Sequence, residues 1–166
     1  MSTKLEVKVI KHHDLTDVMA RTIANFKNET WIYSIESQVR YLRDNCNLDD
    51  LHLILLLNNE IVSYLCIHNV NIVIDGVIST VLGIGSVCTS PKNRGNGYSR
   101  MLLEYSDNLI LRGNPSVLLC QDGLIDFYKK FNWILSERNH FFEGRNFNIM
   151  TRNISFMNSI RLTRLF

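Results

Sequence analysis

The pattern of apolar and polar positions predicts alternating strands and helices. Leu5 to Ile10 alternates apolar and charged residues, which is typical of an edge strand. The apolar run Leu53 to Leu57, within a predicted strand from Leu51 to Leu57, is typical of a buried strand, and Asp75-Gly76 between two apolar runs indicates a hairpin. The other predicted strands are 61–68 after an Asn58-Asn59 turn, 71–74, 77–82 with a continuation to 89, 117–120, 133–135, about 139–143 and 147–153.

Four segments carry apolar residues at helical spacing. Asp14 is the expected N-cap of the first helix, which ends near Phe26. The predicted apolar face of that helix consists of Leu15, Val18, Met19 and Ile23. Ser34 opens the second helix, 98–112 forms the third before Gly113, and Asp122 caps the fourth, which carries Leu124, Phe127, Tyr128 and Phe131. The order of elements predicts an α/β fold whose mixed sheet is mostly antiparallel, with helices on both faces.

The 166 residues are enough for one domain with a substantial core. We assign 1–153 to this domain and 154–166 to a basic and apolar tail, which contains Phe156. The tail packs on the domain or on a second subunit, as in a homodimer, or is disordered. No apolar stretch is long enough to cross a bilayer, and no signal peptide opens the chain. We therefore expect a cytoplasmic protein without a membrane partner.

Charge and cysteine usage exclude several function classes. A net charge of +2 is too small for the basic stripe of a nucleic-acid-binding protein. The cysteines are far apart and form no CxxC pair, so we expect reduced thiols and no metal site. The histidines add no metal-binding pattern, since His52, His68 and His140 are isolated in the sequence and His12 and His13 are expected to be solvated.

The segment from Val87 to Arg100 joins a predicted strand to a predicted helix through a glycine-containing turn. Gly95 and Gly97 permit positive φ angles and close approach of a ligand. Amides at the start of the helix favour an anion, and Lys92, Arg94 and Arg100 add positive charge. The pattern is neither a P-loop nor a dinucleotide fingerprint. It is a candidate pyrophosphate site, and the alternative is a glycine-rich turn with a solvated basic rim.

These residues resemble the coenzyme-A loop of the GNAT N-acetyltransferases, which reads Arg/Gln-x-x-Gly-x-Gly/Ala and often follows Val-x-Pro. Here the loop reads Arg94-Gly95-Asn96-Gly97-Tyr98-Ser99, after Thr89-Ser90-Pro91. Two departures stand out, because Thr89 replaces the usual Val and Ser99 replaces the usual Gly or Ala. The resemblance implies that amides from Gly95 to Arg100 bind the pyrophosphate of acetyl-coenzyme A. It also implies that main-chain groups of Val87, Cys88 and Thr89 pair with the pantetheine arm.

A second part of the resemblance lies further along the chain. Many family members carry Tyr-x-Lys-x-Gly-Phe after the fifth strand, and this chain has Tyr128 within Phe127-Tyr128-Lys129-Lys130-Phe131-Asn132-Trp133. Asn132 replaces Gly at the expected helix end, where Asn tolerates left-handed geometry. By itself, Tyr128 is better explained as a core aromatic residue on an apolar helix face. The resemblance implies that it is the general acid which protonates the departing thiolate.

The remaining chemistry is only partly visible in the sequence. Orientation of the two substrates can supply roughly 7–11 kcal/mol, and an amide near Val87 or Cys88 can stabilise the oxyanion. No carboxylate precedes the loop where the family often has a Glu, because the chain reads Gly83-Ile84-Gly85-Ser86 there. A water chain lined by Ser86 or by the Cys120-Gln121-Asp122 turn is the expected proton acceptor. A covalent role for Cys88 or Cys120 has little support, because neither has a base spaced to activate it.

The acceptor is expected to be a small-molecule amine. A loose likeness to aminoglycoside 2′-N-acetyltransferases surrounds Gly83 to Val87 and Leu119 to Tyr128. A polycationic aminoglycoside needs an acidic cleft, for which the candidates are Asp44, Asp49, Asp50, Glu137 and Glu143. A metabolite amine or a peptide N-terminus fits equally well. A non-catalytic acyl-coenzyme A sensor of the same fold is the alternative to an enzyme, and an adaptor without this ligand is a third.

Overall fold

Turn residues and alternating apolar positions set the strands and helices of this chain, whose computed structural model describes residues 4–142, 144–155 and 158–166. The strands are β1 (Leu5–Lys11), β2 (Leu51–Leu57), β3 (Glu60–Ile74), β4 (Val77–Thr89), β5 (Ser116–Cys120), β6 (Ile134–Phe142), β7 (Arg145–Arg152) and β8 (Ile160–Leu162). The helices are α1 (Asp17–Asn28), α2 (Ile35–Asn45), α3 (Tyr98–Ser106) and α4 (Ile125–Lys129). Short 3₁₀ turns lie at His12–Asp14, Pro91–Asn93 and Asp122–Leu124, and a π-helical turn spans Asp107–Leu111.

The first of two structural units contains the described residues up to His68 together with Ser86–Leu103. In this unit β1 runs antiparallel to β2, and β2 runs antiparallel to β3. The amide of Ser90, just after β4, donates to the carbonyl of Val62 on β3. The core of the unit includes Ile23 of α1, Leu42 of α2 and Tyr64 of β3. Helices α1 and α2 therefore bury their apolar faces within this unit.

The second unit contains Asn69–Gly85 and the described residues from Glu104 onward. Here β4 is parallel to β5, whereas β5 pairs antiparallel with β7 and β7 antiparallel with β6. Strand β8 pairs antiparallel with the end of β3, so part of the tail belongs to the sheet. The core of the unit includes Val70, Val117 and Ile149. The sheet is mixed and mostly antiparallel, as the sequence predicts.

The predicted hairpins are confirmed, but several predicted strands are longer. Asp75 and Gly76 have φ angles of 49° and 84°, and Asn58 and Asn59 have φ angles of 50° and 69°, as tight turns between antiparallel strands require. The segments 61–68 and 71–74 form one strand, because Asn69 and Asn71 are exposed and alternate with buried Val70 and Ile72. The segments 133–135 and 139–143 likewise belong to β6, although Glu143 lies outside the described residues.

Two predicted helix caps are wrong. Thr16 caps α1, because its hydroxyl accepts a hydrogen bond from the amide of Met19 at 3.3 Å, and Asp14 lies in the preceding 3₁₀ turn. Val18 is 75% exposed, because it lies roughly 140° around the helix from buried Ile23. Asp122 begins a 3₁₀ turn, and neither Gln121 before that turn nor Leu124 before α4 makes a side-chain cap. The predicted cap Ser34 is confirmed by its hydrogen bond from the amide of Ser37.

The third helix is α-helical over only part of its predicted length. α3 ends at Ser106 and continues as the π-helical turn Asp107–Leu111, after which Arg112 and Gly113 both have positive φ angles. Asp107, a poor helix former, pairs instead with Arg152 of β7. None of the helices within the described residues combines the length and apolar character needed to cross a membrane.

Candidate active site

The glycine-containing loop lies between the end of β4 and the start of α3. A 3₁₀ turn at Pro91–Asn93 follows the strand, and Gly95 and Gly97 then have φ angles of 84° and 77°. The first α-helical hydrogen bond runs from the amide of Met101 to the carbonyl of Gly97. The amides that precede this bond lie at the start of α3, where a helix terminus favours an anion.

The two loop glycines are required by backbone conformation rather than by packing. A Cβ atom added to Gly95 or Gly97 would have no heavy atom within 4 Å among the described residues. The loop residues Arg94, Gly95, Asn96 and Gly97 are exposed, whereas Tyr98 and Ser99 are half-buried. The open space beside the glycines suits close approach of a ligand to the main chain.

The two departures from the family motif contact each other. The Thr89 and Ser99 hydroxyls are hydrogen-bonded, and Thr89 Oγ1 lies 3.0 Å from Ser63 Oγ. Because Ser63 donates its one proton to the carbonyl of Cys88 at 2.9 Å, Thr89 donates to Ser63 and Ser99 donates to Thr89. This relay fixes the end of β4 against the first turn of α3, and it points the Ser99 hydroxyl toward β4.

Two basic side chains at the loop, those of Lys92 and Arg94, already interact with other groups of the protein. Arg94 donates from Nε to the carbonyl of Thr89 at 3.4 Å, and Lys92 lies 3.6 Å from Glu60. Asn96 donates from Nδ2 to the carbonyl of Asn93 at 3.1 Å, which closes the turn on itself. Arg94 and Arg100 are exposed, so both guanidinium groups can meet a ligand from solvent.

The part of β4 before the loop contains an irregularity at Ser86. This residue has a φ angle of 54°, which is uncommon for a residue other than glycine and rotates its peptide groups away from the regular ladder direction. Its hydroxyl accepts a hydrogen bond at 3.1 Å from Nζ of Lys27 in the last turn of α1. Ser86 and Val87 are half-buried, and Cys88 is buried.

Lys27 is a functional candidate that the sequence interpretation missed. The residue is only 3% exposed, and its Nζ lies 4.8 Å from the centre of the Tyr41 ring and 5.9 Å from that of Trp31. Burial lowers the pKa of this ammonium. Electrostatic interactions with neighbouring cysteines, of which Cys88 contributes most, act in the opposite direction and raise the pKa. The available signal was its helical spacing from Ile23, which places a lysine on the buried face of α1.

The thiols of Cys88 and Cys120 are poor nucleophiles in this environment. Burial raises the pKa of Cys88 to about 12 and that of Cys120 to about 11. Both groups therefore stay protonated near neutral pH, and the thiolate is the reactive form. This result agrees with the small weight that the sequence interpretation gave to a covalent role.

Tyr128 lies on α4 in the second unit and is 5% exposed. Its ring meets that of Phe127 edge-on, with 5.1 Å between centroids. The predicted left-handed position after this helix is confirmed, because Asn132 has a φ angle of 61°. The local helix end thus matches the motif even though Asn replaces Gly, and Trp133 behind it is buried.

The Cys120-Gln121-Asp122 turn is tied to β7 by Asn148. Nδ2 of Asn148 donates to the carbonyl of Cys120 at 3.2 Å and to Oδ1 of Asp122 at 3.0 Å. Asn148 is itself 2% exposed. This arrangement gives Asp122 a role in holding the turn that follows β5.

The acidic candidates for a polycation cleft have other partners or positions. Asp50 is fully buried, Asp49 lies 3.5 Å from Lys11, and Glu137 lies 2.8 Å from Nδ1 of His140. Asp44 is exposed, and Glu143 lies outside the described residues. Asp50 is therefore unavailable to form part of an open acidic surface.

The histidines are neither isolated nor all solvated, contrary to expectation. His12 lies 3.0 Å from His52, His52 lies 2.7 Å from the hydroxyl of Tyr64, and His68 lies 2.9 Å from Asp50. These contacts could not be recognised in the sequence, because they depend on the pairing of β2 with β1 and β3.

Comparisons with known proteins agree with the fold and the loop. A family model described as an acetyltransferase (GNAT) domain matches residues 6–135. No curated protein sequence matches the chain significantly. The matched residues 6–135 include both the loop from Arg94 to Ser99 and the helix that carries Tyr128.

Several solved structures share the fold at low sequence identity. Escherichia coli ElaA has a TM-score of 0.69 and 20% identity, with 90% of this chain and 99% of that chain covered. An acyl-CoA N-acyltransferase from Pseudomonas aeruginosa has a TM-score of 0.65 and 20% identity over the same shares. The PaiA N-acetyltransferase from Thermoplasma acidophilum, in complex with coenzyme A, has a TM-score of 0.60 and 18% identity, with 90% and 98% covered.

These likenesses by themselves establish a shared fold. The family model adds the sequence evidence, because it extends from β1 to the start of β6 and covers most of the chain. The GNAT resemblance seen in the loop and in the tyrosine helix is thereby confirmed. This chain belongs to the GNAT acetyltransferase family.

Proposed function

We propose that this protein transfers the acetyl group of acetyl-coenzyme A to a primary amine. The observation that carries the proposal is the exposed loop with positive φ angles at Gly95 and Gly97 directly before α3, in a chain of the GNAT family. Backbone amides in such a loop suit a pyrophosphate, which needs several donors at one helix start. Arg94 and Arg100 add charge at the same place.

The cofactor would lie along the end of β4 and across the loop. Main-chain groups of Val87, Cys88 and Thr89 would pair with pantetheine, and amides from Gly95 to Arg100 would bind pyrophosphate. The Ser63–Thr89–Ser99 relay supports this proposal, because it holds the strand end and the helix start in one arrangement before a ligand arrives. A preformed site loses less conformational entropy on binding.

Transfer would be direct, within a ternary complex of enzyme, acetyl-coenzyme A and amine. The raised pKa values of Cys88 and Cys120 disfavour an acetyl-thiol intermediate on either residue. The amine would attack the thioester carbon, an amide near Val87 or Cys88 would stabilise the oxyanion, and the C–S bond would then break.

Lys27 and Ser86 would accept the proton that the attacking amine loses. The Lys27 amine is buried and hydrogen-bonded to Ser86, one residue before Val87. Burial lowers the pKa of Lys27, which increases the fraction of neutral amine at working pH. A hydroxyl between an amine base and the substrate, directly or through water, would serve as the proton path that the sequence interpretation placed at Ser86.

Tyr128 would protonate the coenzyme-A thiolate as it leaves. Its position on the family motif supports this role, and the left-handed Asn132 supports the motif's local geometry. The competing interpretation is a purely structural aromatic residue, which its burial also permits. Kinetics of a Tyr128→Phe variant distinguish the two, because the change removes the proton and keeps the ring.

The acceptor would be a small primary amine, either aminoglycoside-like or a metabolite. Burial of Asp50 removes one of the candidate carboxylates from a polycation site, which favours the smaller amine. The aromatic rings of Trp31 and Tyr41 beside Lys27 would give the acceptor an apolar contact.

The test is acetyl-coenzyme A consumption against a panel of polyamines, aminoglycosides, amino acids and peptide N-termini. We expect turnover with at least one class, and a fall in kcat of about 10² to 10⁴ for Tyr128→Phe. Tyr105→Phe on α3 is the matched control. Coenzyme-A binding without turnover on any amine would favour the sensor, and full activity of Tyr128→Phe would remove the proposed acid.

A further inference from the structure

A continuous cluster of sulfur, imidazole and carboxylate groups lies within the first unit, apart from the loop described above. The cluster contains His12, Cys46, Asp50, His52, Tyr64, Cys66 and His68. These residues come from the end of β1, the connection between α2 and β2, and strands β2 and β3. None of them has a role in the proposed acetyl transfer.

Three of these side chains can meet at one point. One ligand atom from each of Cys46, Cys66 and His68 lies within 4.8 Å of the other two. Cys66 and His68 are two residues apart on β3 and so point to the same face of the strand, with Sγ 4.0 Å from Nδ1. In a tetrahedral zinc site, bonds of about 2.3 Å to sulfur and 2.0–2.1 Å to nitrogen require similar proximity.

A second group, His12, Cys46 and His52, shares the same sulfur but is less suited to a metal. His52 uses both ring nitrogens in the protein, since Nε2 lies 3.0 Å from His12 and Nδ1 lies 2.7 Å from Tyr64 Oη. This group also offers one thiol, whereas the first offers two. The group with both thiols is therefore the better ligand set for a thiophilic cation.

Asp50 holds the His68 ring as carboxylates hold metal-binding histidines. Its Oδ2 lies 2.9 Å from Nδ1 of His68 and also accepts the amide hydrogen of Asn47 at 2.9 Å. Both Asp50 and His68 are buried, at 0% and 1% exposure. Nδ1 is also the nitrogen that lies 4.0 Å from Sγ of Cys66, so an ion bound there would replace the proton that Nδ1 shares with Asp50.

We propose that Cys46, Cys66 and His68 bind a zinc ion. Cys66 and His68 are buried, whereas Cys46 is half-buried, so the fourth position would be open to solvent. The ion would join the segment after α2 to β3 and would stabilise the first unit. Asp50 would be a positioning residue for His68. The proposed zinc site does not depend on the proposed function, although Cys46 and Cys66 also act electrostatically on Lys27.

The direct test is cobalt titration of the reduced full-length protein, because cobalt bound by thiolates absorbs in the near ultraviolet and zinc displaces it. We expect one cobalt per chain, displaced by one zinc. Zinc should also slow alkylation of Cys46 by at least about tenfold, while alkylation of Cys120 after partial denaturation is unchanged. This protection assay uses the unmodified chain and needs no variant that folds.

Variants then locate the site. Cys46→Ser and Cys66→Ser should lose the thiolate absorption, and Asp50→Asn should weaken zinc binding by about 10- to 100-fold. His13→Asn and Cys120→Ser are the matched controls and should bind as the unmodified chain does. Absence of cobalt–thiolate absorption and of protection in the reduced protein would overturn the proposal. Unchanged zinc binding in Cys46→Ser would also overturn it. A Cys46–Cys66 disulfide, in a protein that binds no metal when the disulfide is reduced, would overturn it as well.

Discussion

The hydroxyl of Thr89 at the end of β4 is hydrogen-bonded to the hydroxyl of Ser99 in the first turn of α3. These are the two positions at which the loop departs from the usual GNAT pattern of an aliphatic residue and a Gly or Ala. The departures are therefore linked, because each hydroxyl supplies the partner that the other requires in a half-buried setting. In this chain, a hydrogen bond between the Thr89 and Ser99 hydroxyls therefore stands where the usual family residues would make an apolar contact.

A double-mutant cycle tests this link. Thr89→Val and Ser99→Ala should each lower the free energy of unfolding by about 0.5–1.5 kcal/mol, because each removes the hydrogen bond between the two hydroxyls. The double variant, which restores the family pattern, should cost less than the sum of the two. Urea unfolding monitored by tryptophan fluorescence measures this. Strict additivity of the two changes would show that the hydroxyls do not interact.

Lys27 provides a second prediction, on the pH dependence of the reaction. The groups that act electrostatically on it are Cys88 of β4, Cys66 of β3 and Cys46 after α2. Because burial lowers its pKa, the unmodified enzyme should gain activity as pH rises through a value below 10.5. Lys27→Met should lower kcat by about 10² to 10⁴ and remove this rise.

The control for that experiment is Lys8→Met, which changes an exposed lysine on β1. Ser86→Ala should show a smaller loss of kcat than Lys27→Met, because water can replace a hydroxyl in the proton path. A Lys27→Met enzyme with the unmodified pH profile would show that another group accepts the proton.

The same lysine predicts an unusual dependence of stability on pH. Its pKa is lower in the folded protein than the ordinary 10.5, so the unfolded chain binds more protons between these two values. Stability contributed by this group therefore rises as pH rises through that interval. Lys27→Met should be more stable than the unmodified chain near neutral pH, by on the order of 1 kcal/mol.

The advantage of Lys27→Met should shrink as pH rises through this interval and past 10.5, above which the lysine is neutral in both states. Chemical unfolding at several pH values gives the comparison, with Lys8→Met as reference. If the difference in the free energy of unfolding between Lys27→Met and the unmodified chain did not change with pH, Lys27 would not be a buried amine with a lowered pKa.

The C-terminal residue provides a prediction about the tail. Phe166 is 8% exposed, and a Cβ added at Gly83 would lie 2.8 Å from its ring. Phe166→Ala should therefore lower the free energy of unfolding by about 3 kcal/mol. Phe141→Ala, which removes a side chain that is 67% exposed, is the control. Equal effects of the two changes would show that the tail does not pack in solution.

Local signals made much of the fold predictable. Asp75-Gly76 and Asn132 adopt the positive φ angles that their residue types favour, independently of distant parts of the chain. The start of α1 was harder, since Asp14 and Thr16 are both capable caps two residues apart. The predicted apolar face was also wrong at exposed Val18, because residues five apart, such as Val18 and buried Ile23, do not share one helix face.

The loop from Arg94 to Ser99 could be proposed as a binding site from the sequence, because its residues are contiguous there. The site was hidden where chemistry depends on strand pairing or helix docking. Lys27 and Ser86 are 59 residues apart, and His68 and Asp50 are 18 apart. Neither pair has a local spacing that would single it out before the sheet and helices are assembled.

The most direct test of the central claim is calorimetric titration of the full chain with acetyl-coenzyme A, beside acetyl-pantetheine, which lacks the pyrophosphate. We predict that the unmodified protein and Gly123→Ala bind acetyl-coenzyme A equally. Gly97→Val should bind it at least about tenfold more weakly, because a branched side chain is strained at a φ angle of 77° and fills the approach to the loop amides. Acetyl-pantetheine should bind weakly to all three. Failure of the unmodified protein to bind acetyl-coenzyme A, or equal binding by Gly97→Val, would contradict the assignment of this loop as the pyrophosphate site.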